Sequence, residues 1–92
     1  MTMSIEFCLH GSARTIKESV ERARLAEELG FAAIFFADSH MNNADCYQVL
    51  AMCATSTRTI RLGSAVTNMV YRHPTIIANA FATLNEISGG RA

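Results

Sequence analysis

Hydrophobic and polar positions alternate along the chain in three similar blocks. Ile5 to Leu9 alternates strictly and predicts a strand, with Ile5, Phe7 and Leu9 on one face and Glu6, Cys8 and His10 on the other. Gly11-Ser12 then predicts a turn. Thr15-Ile16-Lys17-Glu18 has the S/T-x-x-E form of a capping box. Ile16, Val20, Ala23, Ala26 and Leu29 recur at steps of three and four, one face of a helix, and Gly30 stands where a helix C-terminal glycine belongs. Phe31 to Ala37 is apolar at both parities, as in a strand covered on both faces. After the polar loop from Asp38 to Asn43, Asp45 predicts the cap of a second helix with Cys46, Val49, Leu50 and Cys53 on its buried stripe. Ile60 to Val66 reads as a third strand. Pro74 marks the start of a third helix, whose apolar face is Ile77, Ala80, Phe81, Leu84 and Ile87, and Gly89-Gly90 ends it.

Strands thus begin near residues 5, 31 and 60, and a fourth is due just after Arg91. A (β/α)₈ barrel of about 250 residues has roughly 31 residues per βα unit, so three units come to about 94. A doubly wound sheet has similar units, but no G-x-G-x-x-G follows the first strand. The fold class expected is α/β: three βα units of a TIM (β/α)₈ barrel, an incomplete barrel forming a single truncated domain over residues 1–92.

Composition narrows the function. The 92 residues are 50% hydrophobic, too apolar for a disordered chain. Eight basic and eight acidic side chains cancel, so there is no electrostatic footprint for nucleic acid. The longest apolar run has seven residues, against the roughly 20 that span a bilayer. No basic segment followed by an apolar one opens the chain, so no signal peptide is expected. Cys8, Cys46 and Cys53 are odd in number and lack C-x-x-C spacing, which argues against a disulfide framework and a zinc site and for a reducing, cytoplasmic setting.

Chemistry in parallel βα architectures collects at the carboxyl ends of strands. Those ends carry His10, then Asp38 and His40, then Val66, Thr67 and Asn68, with His73 further on. Each has a plainer reading beside the functional one. His10 is equally a lumen or loop histidine, Asp38 a loop cap, Asn68 a turn residue, and His73, before Pro74, a helix starter. Glu6, on the face opposite Phe7, would point into a barrel, where a structural ion pair with Arg61 suits a carboxylate. Gly63-Ser64-Ala65 would let a flat ligand approach the backbone, or mark a bulge or a tight interior.

Several segments together resemble the luciferase-like monooxygenase superfamily. They are Leu25-Ala26-Glu27-Glu28-Leu29-Gly30-Phe31, Ala37-Asp38-Ser39-His40, the run from Thr57 to Asn68, Arg72-His73-Pro74, and the run from Thr83 to Arg91. Their order and spacing cover nearly the whole chain. Within the superfamily the chain most resembles the deazaflavin-dependent branch, which includes methylenetetrahydromethanopterin reductase-like enzymes. Asp38-Ser39-His40 replaces the Glu-His-His that some flavin-dependent relatives carry. Two departures stand out: Ser39 separates the aspartate from the histidine, and Met69 occupies a position where proline is common.

The resemblance implies a (β/α)₈ barrel with its cofactor at the C-terminal rim. The cofactor would be a deazaflavin (coenzyme F420), with FMN the alternative. It implies a non-prolyl cis peptide at Ala65-Val66 backing the ring, Thr67 and Asn68 bordering it, Asp38 near its polar edge, and His40 as the catalytic group, donating or accepting a proton. The reaction implied is hydride transfer between a small organic substrate and the cofactor ring. No metal is expected, and the partners expected are a homo-oligomer or a completing chain. On this reading the 92 residues are a fragment or split-gene product, with little activity alone. Two other readings stand beside it: a non-catalytic piece that associates through exposed edges, and a metal-dependent hydrolase using His10, Asp38, His40 and His73.

Overall fold

The computed structural model describes residues 5–11, 14–39, 41–67, 70 and 72–92. Three strands and three helices alternate: β1 (Cys8–Gly11), α1 (Ile16–Glu28), β2 (Ala33–Phe36), α2 (Cys46–Ser56), β3 (Arg61–Ser64) and α3 (Pro74–Ile87). The strands form one parallel sheet in the order β1-β2-β3. This is the expected run of three βα units. The Leu62 N–H donates to Arg91 O at 2.9 Å, whereas the neighbouring Arg61 N–H donates to Ala32 O at 3.1 Å, toward β2. Alternate amides of a strand point to opposite sides, so the chain after α3 returns along the far edge of β3. A fourth strand was due there.

The register sorts the side chains. His10, Phe35 and Gly63 stand side by side, as do Leu9, Ile34 and Leu62 one residue away. Ile34, Phe36 and Leu62 belong to the core under the helices, together with Ala23, Ala26, Cys46, Val49, Leu50, Cys53 and Leu84. The stripe predicted for α2 is wholly buried. The α1 stripe is buried in its middle, at Ala23 and Ala26, while Leu29 at its end is 67% exposed.

The first strand begins later than the alternation predicts, at Cys8 rather than Ile5, and includes Gly11, where the sequence predicts a turn. β1 has a neighbour on one side only, and β2 is four residues long, so pairing extends only where β2 runs beside it. The Phe7 carbonyl still accepts from Ala32 N–H at 2.8 Å, but Ile5 and Phe7 are exposed. Gly11 pairs with Phe36 in the ladder, and only glycine fits there without movement, since a Cβ would stand 2.9 Å from the Phe36 ring.

The helix ends follow local chemistry. Thr15 accepts from Glu18 N–H, and the Glu18 carboxylate reaches back to Arg14 N–H rather than to the cap itself. Asp45 caps α2 by accepting from Gln48 N–H. His73 caps α3: its Nδ1 accepts from Thr75 N–H at 3.2 Å, with Pro74 in the first turn. Gly30, Gly89 and Gly90 take positive φ beyond the helix ends, where a side chain would be strained.

Candidate functional site

The carboxyl ends of β2 and β3, with the first turn of α2, converge on one polar cluster. Asp38 follows β2, Asp45 and Tyr47 open α2, and Thr67 and Arg72 follow β3. Arg72 meets the Asp38 carboxylate with two nitrogens, Nε to Oδ2 at 2.9 Å and Nη2 to Oδ1 at 3.0 Å. Its Nη2 also reaches Asp45 Oδ1 at 3.0 Å. The guanidinium carbon lies 4.6 Å from the centre of the Tyr47 ring, a cation–π contact, and Phe81 meets that ring edge-on at 5.4 Å. The hydrogen bonds to Asp38, above all, hold the guanidinium charged.

The hydroxyls fix their own direction. Thr67 Oγ1 donates to Asp38 Oδ2 at 2.8 Å, and Tyr47 Oη lies 2.5 Å from Thr67 Oγ1. A threonine has one hydroxyl proton, and it is committed to Asp38, so the tyrosine must be the donor to Thr67. A directed chain runs from Tyr47 through Thr67 to the carboxylate. Burial pushes the Tyr47 phenol above its ordinary pKa, which keeps that proton in place. The Asp38 side chain is only 1% exposed, and that of Arg72 is 19% exposed.

Beside this cluster, the Ala65–Val66 peptide is cis, as the resemblance implied, and Val66 is 79% exposed. His10, from the tip of β1, places Nε2 2.8 Å from Ala65 O. Ala65, Val66, Thr67 and Asp38 thus stand on one rim with His10. His40 and Asn68 lie outside the described residues. At Gly63 a Cβ would stand 2.9 Å from the Phe35 ring, so the ring lies close over the backbone there.

Other expectations fall elsewhere. Glu6 and Arg61 line the same cavity, together with Phe35 and Phe81, but among the described residues no ion pair joins them. Among the described residues no group of three or more His, Cys, Asp or Glu is placed to hold a metal. Of the four residues of the hydrolase reading, His10 is turned to Ala65, His73 caps α3 and Asp38 binds Arg72. Cys46 and Cys53 are buried, and burial raises both thiols to about 12, whereas Cys8 is exposed. Among the described residues no helix is long and apolar enough to cross a membrane.

Sequence reasoning missed Tyr47 and the part played by Arg72. A signal existed for both: the loop after a strand and the first turn of the following helix lie at the carboxyl rim, which puts Tyr47 and the Arg72-His73-Pro74 segment beside Asp38.

The rim can be set against known proteins. The profile of the luciferase-like monooxygenase family matches residues 2–92. This chain belongs to that family. It is 41% identical over 92 residues to the 5,10-methylenetetrahydromethanopterin reductase of Methanolobus tindarius, covering 100% of this chain and 27% of the relative. The enzyme of the same name from Archaeoglobus fulgidus is 48% identical over 69 residues, 75% of this chain and 20% of that protein. The solved structure of the coenzyme F420-dependent tetrahydromethanopterin reductase from Methanopyrus kandleri superimposes with a TM-score of 0.90 at 34% identity, covering 98% of this chain and 26% of that one. The chain therefore spans about a quarter of the length of such relatives. The luciferase-like family places its three βα units in a TIM barrel and its kinship among oxidoreductases, with F420-dependent reductases among its relatives.

Proposed function

We propose that this chain supplies the first three strand tips of a deazaflavin-dependent oxidoreductase site, with coenzyme F420 as cofactor and a small organic molecule as hydride donor or acceptor. The observation that carries the reading is the rim itself: the exposed Val66, next to Ala65, makes an apolar step beside the Thr67 hydroxyl and the Ala65 carbonyl. A planar heterocycle with an apolar face and a polar edge fits that step. Ala65, Val66 and Thr67 would back and border the ring, with Asn68 beside them. Asp38, whose carboxylate is buried, would act on the polar edge through the Thr67 hydroxyl. His40 is the residue proposed to donate or accept the proton, because imidazole titrates near neutrality. When bound, the deazaflavin supplies hydride transfer; the protein supplies orientation and electrostatics.

Separate titrations of the chain with coenzyme F420 and with FMN, followed by fluorescence, test the assignment. Tighter binding of coenzyme F420 is expected. Tighter binding of FMN overturns the deazaflavin choice, and binding of neither overturns the site. The partner proposed is a second copy or a completing chain. Phe7, 70% exposed, and Leu29, 67% exposed, line one apolar hollow with Phe31 at the amino ends of β1 and β2, and that uncovered patch supports the proposal. Sedimentation velocity over a range of concentrations should show association; a monomer throughout contradicts it.

A further inference from the structure

We infer that Arg72 is a positioning residue for the rim: it clamps the loop after β3 onto the loop after β2 and the first turn of α2, and so sets where the Thr67 hydroxyl and the Ala65–Val66 step stand. The inference rests on the cofactor reading above. The geometry is that of a three-point hold. Two nitrogens grip Asp38 after β2, one of them also grips Asp45 at the cap of α2, and the guanidinium carbon stands over the Tyr47 ring two residues further on. Tyr47 in turn donates to Thr67, and Thr67 donates to the same Asp38 oxygen that accepts from Arg72 Nε. The loop carrying Thr67 is therefore tied at both ends of one closed ring of contacts, Arg72–Asp38–Thr67–Tyr47–Arg72.

The ring needs arginine. A planar fork can bind a carboxylate with two parallel N–H groups and lie flat over an aromatic ring at once, whereas an ammonium is a point charge on a flexible stem. The neighbouring His73 and Pro74 have a separate task, since they open α3 immediately after the clamp. Arg72-His73-Pro74 thus reads as a hinge pin followed by a helix start. Asp38 is then a positioning residue too, presenting Thr67 rather than its own buried oxygens.

Hydrogen exchange and coenzyme F420 titration on the full chain, with Arg72→Ala and Arg72→Lys, test the clamp. Both variants are expected to speed exchange in residues 64–73 by about tenfold while α1 keeps its protection. Both should weaken coenzyme F420 binding by about tenfold, and Lys should not restore it. Guanidinium ion, added well below denaturing concentrations, should partly restore the Ala variant. If either variant fails to fold, Thr67→Val and Tyr47→Phe each open the ring elsewhere and should show the same two changes in smaller measure. Wild-type exchange and affinity in the Arg72 variants overturn the inference. If the unmodified chain does not bind coenzyme F420, the cofactor reading falls, and the exchange data alone decide the clamp.

Discussion

Two glycines show how a single missing Cβ is read from its surroundings. At Gly11 a Cβ would meet Phe36, which is 3% exposed and locked in the core; at Gly63 it would meet Phe35, on the open face of the sheet. Both approaches are 2.9 Å, so both substitutions demand movement, but only the Phe35 ring has room to move. Gly11→Ala should therefore cost about 2 kcal/mol and Gly63→Ala about 1 kcal/mol in denaturant unfolding. Equal costs would contradict this placement of the two rings. His73 belongs to the same scale. Its position before proline made helix capping readable, and its Nδ1 accepts from Thr75 as a cap does. The loops of Tyr47 and Arg72 could be placed at the rim from residue order, but not their contacts with Asp38, since Arg72 and Asp38 stand 34 positions apart and meet only through side-chain direction.

At the level of elements, the turn between α2 and β3 is held from both sides by opposite charges. Glu27 Oε2, from the end of α1, accepts from the amides of Arg58, Thr59 and Ile60 at 2.8, 2.7 and 3.0 Å. Arg91 gives Nη1 to Ile60 O at 2.9 Å and Nη2 to Ala54 O at 2.8 Å and Thr57 O at 3.2 Å. One side chain satisfies the donors of the turn and the other its acceptors, including the orphan carbonyls at the end of α2. Burial alone would raise the Glu27 carboxyl, but the three backbone donors and the Thr59 hydroxyl outweigh it and bring it from 4.5 to about 2. The unfolded chain then binds the extra proton first as pH falls. The Glu27 contribution is complete above about 4.5 and lost as pH drops toward about 2. Glu27 is partly exposed, so Glu27→Gln should cost about 1–2 kcal/mol at neutral pH, and the gap between variant and parent should close in that acid window. A gap constant with pH would contradict the role. Arg91→Lys should cost about 2 kcal/mol, and the double variant less than the sum, because both residues restrain one turn. The family segments containing Glu27 and Arg91 are thus structural devices at the amino ends of the strands, away from the rim. Periodicity gave their helices; it could not give the turn they clamp. The late start of β1 was equally hidden, since an edge strand's extent depends on its neighbour.

For the molecule as a whole, repeating blocks of alternation, helical stripe and glycine stop made three parallel βα units legible from residue order alone. The membership in the luciferase-like family then fixes what such units belong to. What the whole adds is polarity of role: charge clamps at the amino ends, and at the carboxyl ends an exposed apolar step framed by His10, Thr67 and the Arg72 cluster. The central claim is that this framed step receives the planar cofactor. Backbone amide shifts of the isotope-labelled chain, followed by NMR as coenzyme F420 is added, test it most directly. Saturable shifts centred on Val66 and Thr67 are expected, with the 57–60 turn unmoved. Shifts centred on that turn or on the Phe7 and Leu29 patch, with Val66 and Thr67 still, would contradict it.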